Sequence, residues 1–417
     1  SGGADLDAAA ALVGARMPRA TLLAAVRRLA DQSLLVVRHG TGPARYHLLE
    51  TVRQFAFERL QEDDHGPLLR ERHVAHYLAL AESCCGEFTR SGEGLGPWAR
   101  IDAERDNMLR AADACTSNDV ADAGATGLRL LAALRRYWTA RGLANLGAEY
   151  SLLALDRARG LAPSLRYRQL LGSTVYMLWW TGRFDAALSR AHELEHLATA
   201  AGDTHTLVLA HLELGTIHRR LGDEALGRAY FEATCRMALE ASDRHLYGDA
   251  LVRLGHLAMQ RGSFDEARRH FDDALPVRRE SRYAWRSAGS LMYGGYTATR
   301  MGDAPRAREL LREAAIVLRR VGSVQFELFM LDFAAALAAL EKQWTPVVRL
   351  SGALHRLQPL TGPVLQDDAE RQRQQALRQA RAVLGAKAFD AAWARGTASD
   401  LAAALDFATR WLEAGAP

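Results

Sequence analysis

Lysine is nearly absent from this chain. It occurs only at 342 and 387, so 51 of the 53 basic residues are arginine. A nucleotide-binding phosphate loop ends in Gly-Lys-Ser/Thr, because the lysine ammonium and backbone amides together cradle phosphate. Neither lysine follows such a run; "GAKAF" (385–389) lacks the first glycine and the hydroxyl residue. No ATP hydrolysis is expected of this chain. Cysteine is scarce as well. Residues 84, 85, 115 and 235 show no metal or disulfide spacing, and the adjacent Cys84–Cys85 pair reads as a small apolar patch on a helix. A reducing cytoplasm is the natural setting. No stretch approaches 18 uninterrupted apolar residues, so no membrane span is expected. "SGGADLDAAAALVGARM" carries two Asp and no basic start, unlike a signal peptide.

Catalytic constellations are missing too. There is no Gly-x-Ser-x-Gly. His192 and His196 lie four apart on an expected helix and could ligate a metal, but a solvated helix face is the favoured reading. "RSGEGLGPW" (90–98) is Gly-rich with no strand before it, and reads as a loop. Neither catalysis nor a cofactor or metal site is expected in this chain. Net charge is only +4, and acids alternate with arginines, as in "DAERDNMLR" (102–110). The arginine excess fits a GC-rich genome, with anion or nucleic-acid contact as the functional alternative.

What is present is repetition. "TGRFDAALSRAHEL" (181–194) and "RGSFDEARRHFDDAL" (261–275) have one shape, and Gly142, Gly182, Gly222, Gly262 and Gly302 stand 40 residues apart. Five residues after each comes Gly147, Ala187, Gly227, Ala267 or Ala307. Seven before comes Arg135, Val175, Gly215, Gly255 or Gly295. Nine after comes Ser151, Ala191, Phe231, Phe271 or Leu311. Such a period marks stacked repeats. The glycines can take the left-handed conformation that ends a helix. Small residues before and after let two backbones approach, and the larger one fills the gap between them. Ser164, Asp203, Asp243, Ser281 and Ser323 are candidate N-caps of the next pairs. Forty residues less the loops leaves two helices of roughly 16–18 residues, which cannot hide their apolar faces without neighbours.

These columns resemble the tetratricopeptide repeat in a long-helix variant. "LGHLAMQRGSFDEARRHFDDAL" (254–275) sets Leu254, Gly255, Ala258, Gly262, Phe264, Ala267, Phe271 and Ala274 on that family's signature positions. A sixth, degenerate unit has Lys342 in place of glycine and Trp344 on the Phe264 column.

Before the repeats the rhythm changes. A helix is expected over 5–15, another from 21 to about Gln32, strands at 34–37 and 45–49 around "HGTGP" (39–43), then a helix over 50–60 with Val52, Phe55, Ala56 and Leu60 on one face. This is the outline of a partial winged helix, and it suggests a fragment separated from an N-terminal partner region. "LADQSLLVVRHGTGPARYHLLETVRQFAFERL" (29–60), "ERHVAHYLALAE" (71–82), "WARIDAERDNMLRAAD" (98–113) and "FDAAWARGTASDLAAALDFA" (389–408) resemble, in order, parts of the bacterial signal-transduction ATPases with numerous domains. These are the STAND or NB-ARC-like regulators related to AfsR and LuxR-type regulators.

The expected fold is therefore mostly α: a partial winged-helix arm with a small hairpin (1–62), a helical linker (63–122), a right-handed α-α superhelix of tetratricopeptide-like repeats (123–357) and a helical cap (358–417). The resemblance implies the sensor half of a cytoplasmic transcription regulator. Its repeats would bind a peptide, protein or small-molecule effector. Its winged helix would relay to the chain's own upstream ATPase domain, where ATP or ADP and Mg would reside, and the full-length protein would self-assemble on activation. No contact with DNA or membrane is expected of this chain.

The concave face should be lined by positions six, three and two before each glycine. Effector contacts then fall on Arg136, Tyr176, Trp179, Trp180, Arg219, Arg220, His256, Gln260, Tyr296 and Arg300, with Thr139, Ala140, Thr216, Met259 and Thr299 completing the columns. Aromatic bodies with arginine between them suit a peptide or an anionic or aromatic small molecule. The competing reading is that the two Trp pack against the neighbouring repeat. Two other functions compete: DNA binding through Arg27, Arg28, Arg38 and Arg45, and a passive protein scaffold.

Overall fold

The computed structural model describes every residue except 1, 15–16, 40–42, 92, 118–119, 163, 281–283, 358–366 and 415–417, together with the side chains of 284–286 and 367–368. Candidate cap Ser281 and the tip of the "HGTGP" turn lie outside the described residues. Packing divides the chain into two units. The first comprises 1–87, 96–134 and 149–170; the second comprises 88–95, 135–148 and 171–417. The four-part division drawn from the sequence follows changes of pattern, whereas these units follow contacts.

In the first unit, α1 (Leu6–Val13) begins at Asp5, whose carboxylate accepts from the Ala8 amide at 2.8 Å. α2 (Arg19–Asp31) buries Leu22 and Val26. β1 (Leu35–Arg38) and β2 (Arg45–Leu48) pair antiparallel, Leu35 opposite Leu48 and Arg38 opposite Arg45. α3 (Glu50–Glu62) follows and buries no residue; Phe55 is 58% exposed. α4 (Gly66–Ser91), α5 (Leu95–Ala103), α6 (Arg105–Thr116), α7 (Ala123–Ala140), α8 (Ala144–Arg157) and α9 (Leu165–Trp180) come next, of which residues 88–91, 95, 135–140, 144–148 and 171–180 belong to the second unit. Tyr77, Trp98, Ile101, Met108 and Tyr167 are sealed in this unit's interior. "RSGEGLGPW" is not the loop expected: Ser91 ends α4, and Leu95 already begins α5, with Pro97 in its first turn, where a missing amide costs nothing.

The second unit is an α-α superhelix of tetratricopeptide-type pairs. Its first helices are α11 (Thr204–Arg220), α13 (Arg244–Gln260), α15 (Ala284–Arg300) and α17 (Val324–Leu340). Their partners are α12 (Glu224–Glu240), α14 (Phe264–Arg279), α16 (Ala304–Val321) and α18 (Trp344–Leu357). α10 (Phe184–Ala200) precedes them. α19 (Asp367–Ala398), bent at Gly385, and α20 (Leu401–Glu413) close the unit.

The punctuating glycines all have positive φ, from 71° at Gly142 to 92° at Gly222. Each ends a helix in the same way. At Gly222 the amide donates to Arg219 O at 3.2 Å, and the next amide, of Asp223, donates to His218 O at 2.9 Å. Lys342 occupies the same turn at φ 59°. Ser164, Asp203, Asp243 and Ser323 accept from amides three residues on, as N-caps do. The small columns lie where backbones meet: a Cβ on Gly215 would stand 2.6 Å from the Phe231 ring and 3.1 Å from Gly227 O, and one on Gly255 would stand 2.8 Å from Phe271. Phe231, Phe271 and Leu311 are sealed between their helices.

Candidate functional site

The inner face of the second unit follows from helix geometry. Residues four and three apart share a face, so the stripe that opens inward sits two, six and nine residues before each turn glycine. The minus-two column reads Trp180, Arg220, Gln260 and Arg300. The minus-six column reads Tyr176, Thr216, His256 and Tyr296. The minus-nine column contributes Glu213, Arg253 and Tyr293. The minus-three column is not on this face, which corrects the sequence expectation. Trp179, Arg219, Met259 and Thr299 are all buried, because a residue one step from the minus-two position is rotated about 100° toward the neighbouring helix. Thr216 and Tyr296, on the minus-six column, are buried as well.

Trp179 accordingly packs against the following repeat. Its indole Nε1 donates to Glu213 Oε2 at 2.6 Å. Tyr176 stacks parallel on Trp180 with centroids 6.1 Å apart, and Trp180 meets Phe329 of α17 edge-on at 6.3 Å. Tyr293 continues the ring lining, 6.0 Å from Phe329, 5.4 Å from Phe333 and 4.1 Å from His256. Residues from α9 and α17 therefore touch across the inner face.

Three guanidinium groups converge there. The Cζ atoms of Arg220 and Arg253 each lie 5.9 Å from the Trp179 ring. Arg219 is only 4% exposed; it donates to Gln260 Oε1 at 2.7 Å, and its Nε has no partner. Burial, then the charges of Arg220 and Arg253, bring the Arg219 pKa down to about 9. Arg220 keeps much of its surface open, yet protein crowds its guanidinium and lowers its pKa. Burial pushes the Glu213 carboxyl up while Arg253 and the Trp179 hydrogen bond act against that. Burial raises the Tyr176 phenol to about 12. It also holds His256 well below the usual imidazole range, with Arg253, Arg219 and Arg220 pushing the same way, so the imidazole is neutral and its Nε2 is unpartnered.

Of the ten residues expected to contact an effector, Tyr176, Trp179, Trp180, Arg219, Arg220, His256 and Gln260 are brought together. Tyr296 stacks on Phe333 at 4.5 Å and so borders the same ring lining. Arg300 lies over Phe264 at 4.7 Å, and Arg136 lies over Phe88 at 5.8 Å. Glu213, Arg253, Tyr293 and Phe329 were missed; the period alone would have found the first three as the minus-nine column.

The arginines of the DNA-binding alternative are dispersed in role. Arg27, Arg28 and Arg38 are exposed. Arg45 pairs with buried Glu104 and donates to Gly2 O and Gly3 O, each at 3.1 Å; Tyr77 and Asn107 complete that carboxylate's partners. His192 meets Glu195 at 3.2 Å, and no cluster of three metal-ligating side chains occurs among the described residues. A shallow depression of about 400 Å³ in the first unit is lined by Thr116, Gly124, Leu153, Asp156 and Arg157, without aromatic rings. No described helix is long and apolar enough to cross a membrane.

Comparison with known proteins agrees with the repeat geometry. Residues 248–281 match a tetratricopeptide repeat family model. Over 220 residues the chain is 32% identical to proteins named "Putative HTH-type transcriptional regulator" from Mycobacterium bovis and Mycobacterium tuberculosis. The match takes in 50% of this chain and 24% of theirs, so the chain spans about a quarter of the length of these relatives. Among solved structures, a Pyrococcus horikoshii STAND protein with a tetratricopeptide repeat sensor is similar at 13% identity and TM-score 0.43, covering 85% of this chain and 60% of that one. A Rap protein complexed with Competence and Sporulation Factor is similar at 13% and 0.41, covering 81% and 98%. Likeness this distant transfers no function.

Proposed function

We propose that this chain is the sensor part of a cytoplasmic bacterial transcription regulator of the STAND kind, and that the inner face of its repeat superhelix receives the effector. The observation that carries the reading is the convergence of unpaired guanidinium groups and aromatic faces on the inner stripe, in a chain 32% identical to proteins named as regulators. A repeat array has no catalytic requirement that such a cluster would meet, whereas ring faces and buried arginines are what recognition sites concentrate. In this reading 1–62 is a partial winged helix that relays the change, and nucleotide with Mg belongs to a domain outside this chain. Relay requires the effector to prefer one arrangement of the protein over another.

The test uses the full-length regulator and a reporter under its target promoter in the native host. Tyr176→Ala and Tyr293→Ala should abolish the response to inducing conditions while the protein still accumulates. A reporter that responds normally in both variants removes the inner face from the account.

A further inference from the structure

The charge balance of the inner face beside Trp179 points to what it binds. Arg219, Arg220 and Arg253 bring three positive charges together, and among the described residues no carboxylate lies within ion-pair distance of any of them. Glu213 and Glu224 are the acids whose charge reaches them; Glu213 already accepts from Trp179, and Glu224 lies 3.8 Å from Arg261. Asp249, close enough to Glu213 to act on it, pairs with Arg278 at 2.5 Å. Half-buried charge without a partner is costly, and natural interiors normally supply the counter-charge. Here the chain does not supply it. Arg220 and Arg253 lie against the Trp179 ring, and Tyr176, Trp180, Tyr293 and His256 form ring clusters beside it, so a molecule reaching the guanidinium groups meets rings.

We propose that this inner face binds an oxyanion, carboxylate or phosphate, carried on a flat apolar body, with Arg220 and Arg253 gripping the anion and the Tyr176–Trp180 and Tyr293 rings holding the body. This rests on the sensor reading above and names its ligand class. Arg219, buried beneath, supplies field rather than contact; Gln260 holds its Nη1. Guanidinium is suited to this work because its planar fork matches carboxylate and phosphate oxygens two at a time.

The experiment titrates the purified chain at low salt, by calorimetry, with inorganic phosphate, phenyl phosphate, benzoate and neutral benzyl alcohol. Phenyl phosphate or benzoate should bind saturably and more tightly than inorganic phosphate, and benzyl alcohol should not bind over the same range. Preference between the first two assigns the oxyanion as phosphate or carboxylate. Arg220→Gln, whose side chain is open to solvent, and Arg253→Gln should each weaken binding ~10-fold or more, the loss expected of a hydrogen bond to a charged group. Added chloride should weaken it further. The proposal is overturned by no saturable binding of either aromatic anion, by benzyl alcohol binding equally well, or by unchanged affinity in folded Arg220→Gln. If the reporter still depends on Tyr176 and Tyr293 while the anions fail to bind, the sensor reading stands and the oxyanion falls. If the anions bind but the reporter ignores Tyr176 and Tyr293, the reverse holds.

Discussion

The turn that sets the repeat can be tested by a pair of opposite substitutions. Gly262 and Lys342 fill equivalent sites, with φ 75° and 59° and the same two closing hydrogen bonds. A Cβ at Gly262 would meet nothing within 4 Å, so Gly262→Ala loses no packing and creates no clash. What remains is the cost of a left-handed backbone for an L-residue, about 1–2 kcal/mol. Glycine's extra freedom in the unfolded chain offsets part of that, about 0.4–1 kcal/mol. Gly262→Ala should therefore destabilise by about 0.5–1 kcal/mol, and Lys342→Gly should stabilise by the same amount. For a unit of this size that is a melting shift of roughly 1–3 °C in opposite directions. Far-UV circular dichroism melts of the two variants and the parent read this directly, and Gly262→Asn should fall between, since Asn tolerates the left-handed region. Shifts of the same sign would refute the claim that backbone conformation alone holds these positions, and so would a neutral Gly262→Ala beside a destabilising Lys342→Gly.

Other positions make different demands. Gly215→Ala adds a Cβ against the Phe231 ring and Gly227 O. Despite better helix propensity it should cost about 1–3 kcal/mol in chemical denaturation, with part recovered in Gly215→Ala/Phe231→Leu; strict additivity would contradict the close approach. Burial raises the Glu327 carboxyl to about 7, with Arg141 acting against it. From pH 4.5 to 7 the unfolded chain ionises first, so stability falls as pH rises through that window. Glu327→Gln should match the parent near pH 4.5 and exceed it above pH 7 by up to ~3 kcal/mol, which melts across pH will check. Arg278→Met removes a guanidinium only 4% exposed that pairs with Asp249 and donates to Gly248 O, and should cost about 3–5 kcal/mol in chemical denaturation; a cost under about 1 kcal/mol would contradict the buried pair.

The parts of the structure legible in the sequence were those set by local backbone demands. A glycine every 40 residues is a requirement for positive φ, and a Ser or Asp three residues before a helical amide is a cap; both hold whatever the tertiary context. Helix–hairpin–helix order in the first 62 residues was legible for the same reason. The inner face was half legible. Minus two and minus six lie on one stripe, but minus three was counted with them although it is a single residue from minus two, and the minus-nine column that carries Arg253 and Tyr293 was left out. Which rings meet across the interior was not legible at all. Trp180 and Phe329 are 149 positions apart, and only the curvature accumulated over the intervening repeats brings them together. α3 shows a further limit: Val52, Phe55, Ala56 and Leu60 have helical spacing, but spacing does not say what covers them, and none is buried.

Why should arginines accumulate at one place in a stacked array rather than disperse? Every repeat presents its stripe at the same phase, so equivalent columns of successive helices lie side by side, about 10 Å apart across a helix–helix packing distance. A charge placed on one column is then within range of the same column one repeat on. In the minus-nine column Glu213 is followed by Arg253, and the pair attracts. On α11 Arg219 and Arg220 face Arg253 on the next helix, and these repel. An array free to vary each repeat would relieve that repulsion with one acid at Gln260 or Thr216, both on the same stripe. Instead Gln260 is neutral and only accepts from Arg219. The deficit of negative charge is thus local to the α11–α13 junction, beside the rings of α9. Gln260→Glu should supply the missing carboxylate from within. It should raise the melting temperature of the free chain and weaken binding of phenyl phosphate or benzoate. If Gln260→Glu leaves both unchanged, the three guanidinium groups are already satisfied by water, and the charge argument fails.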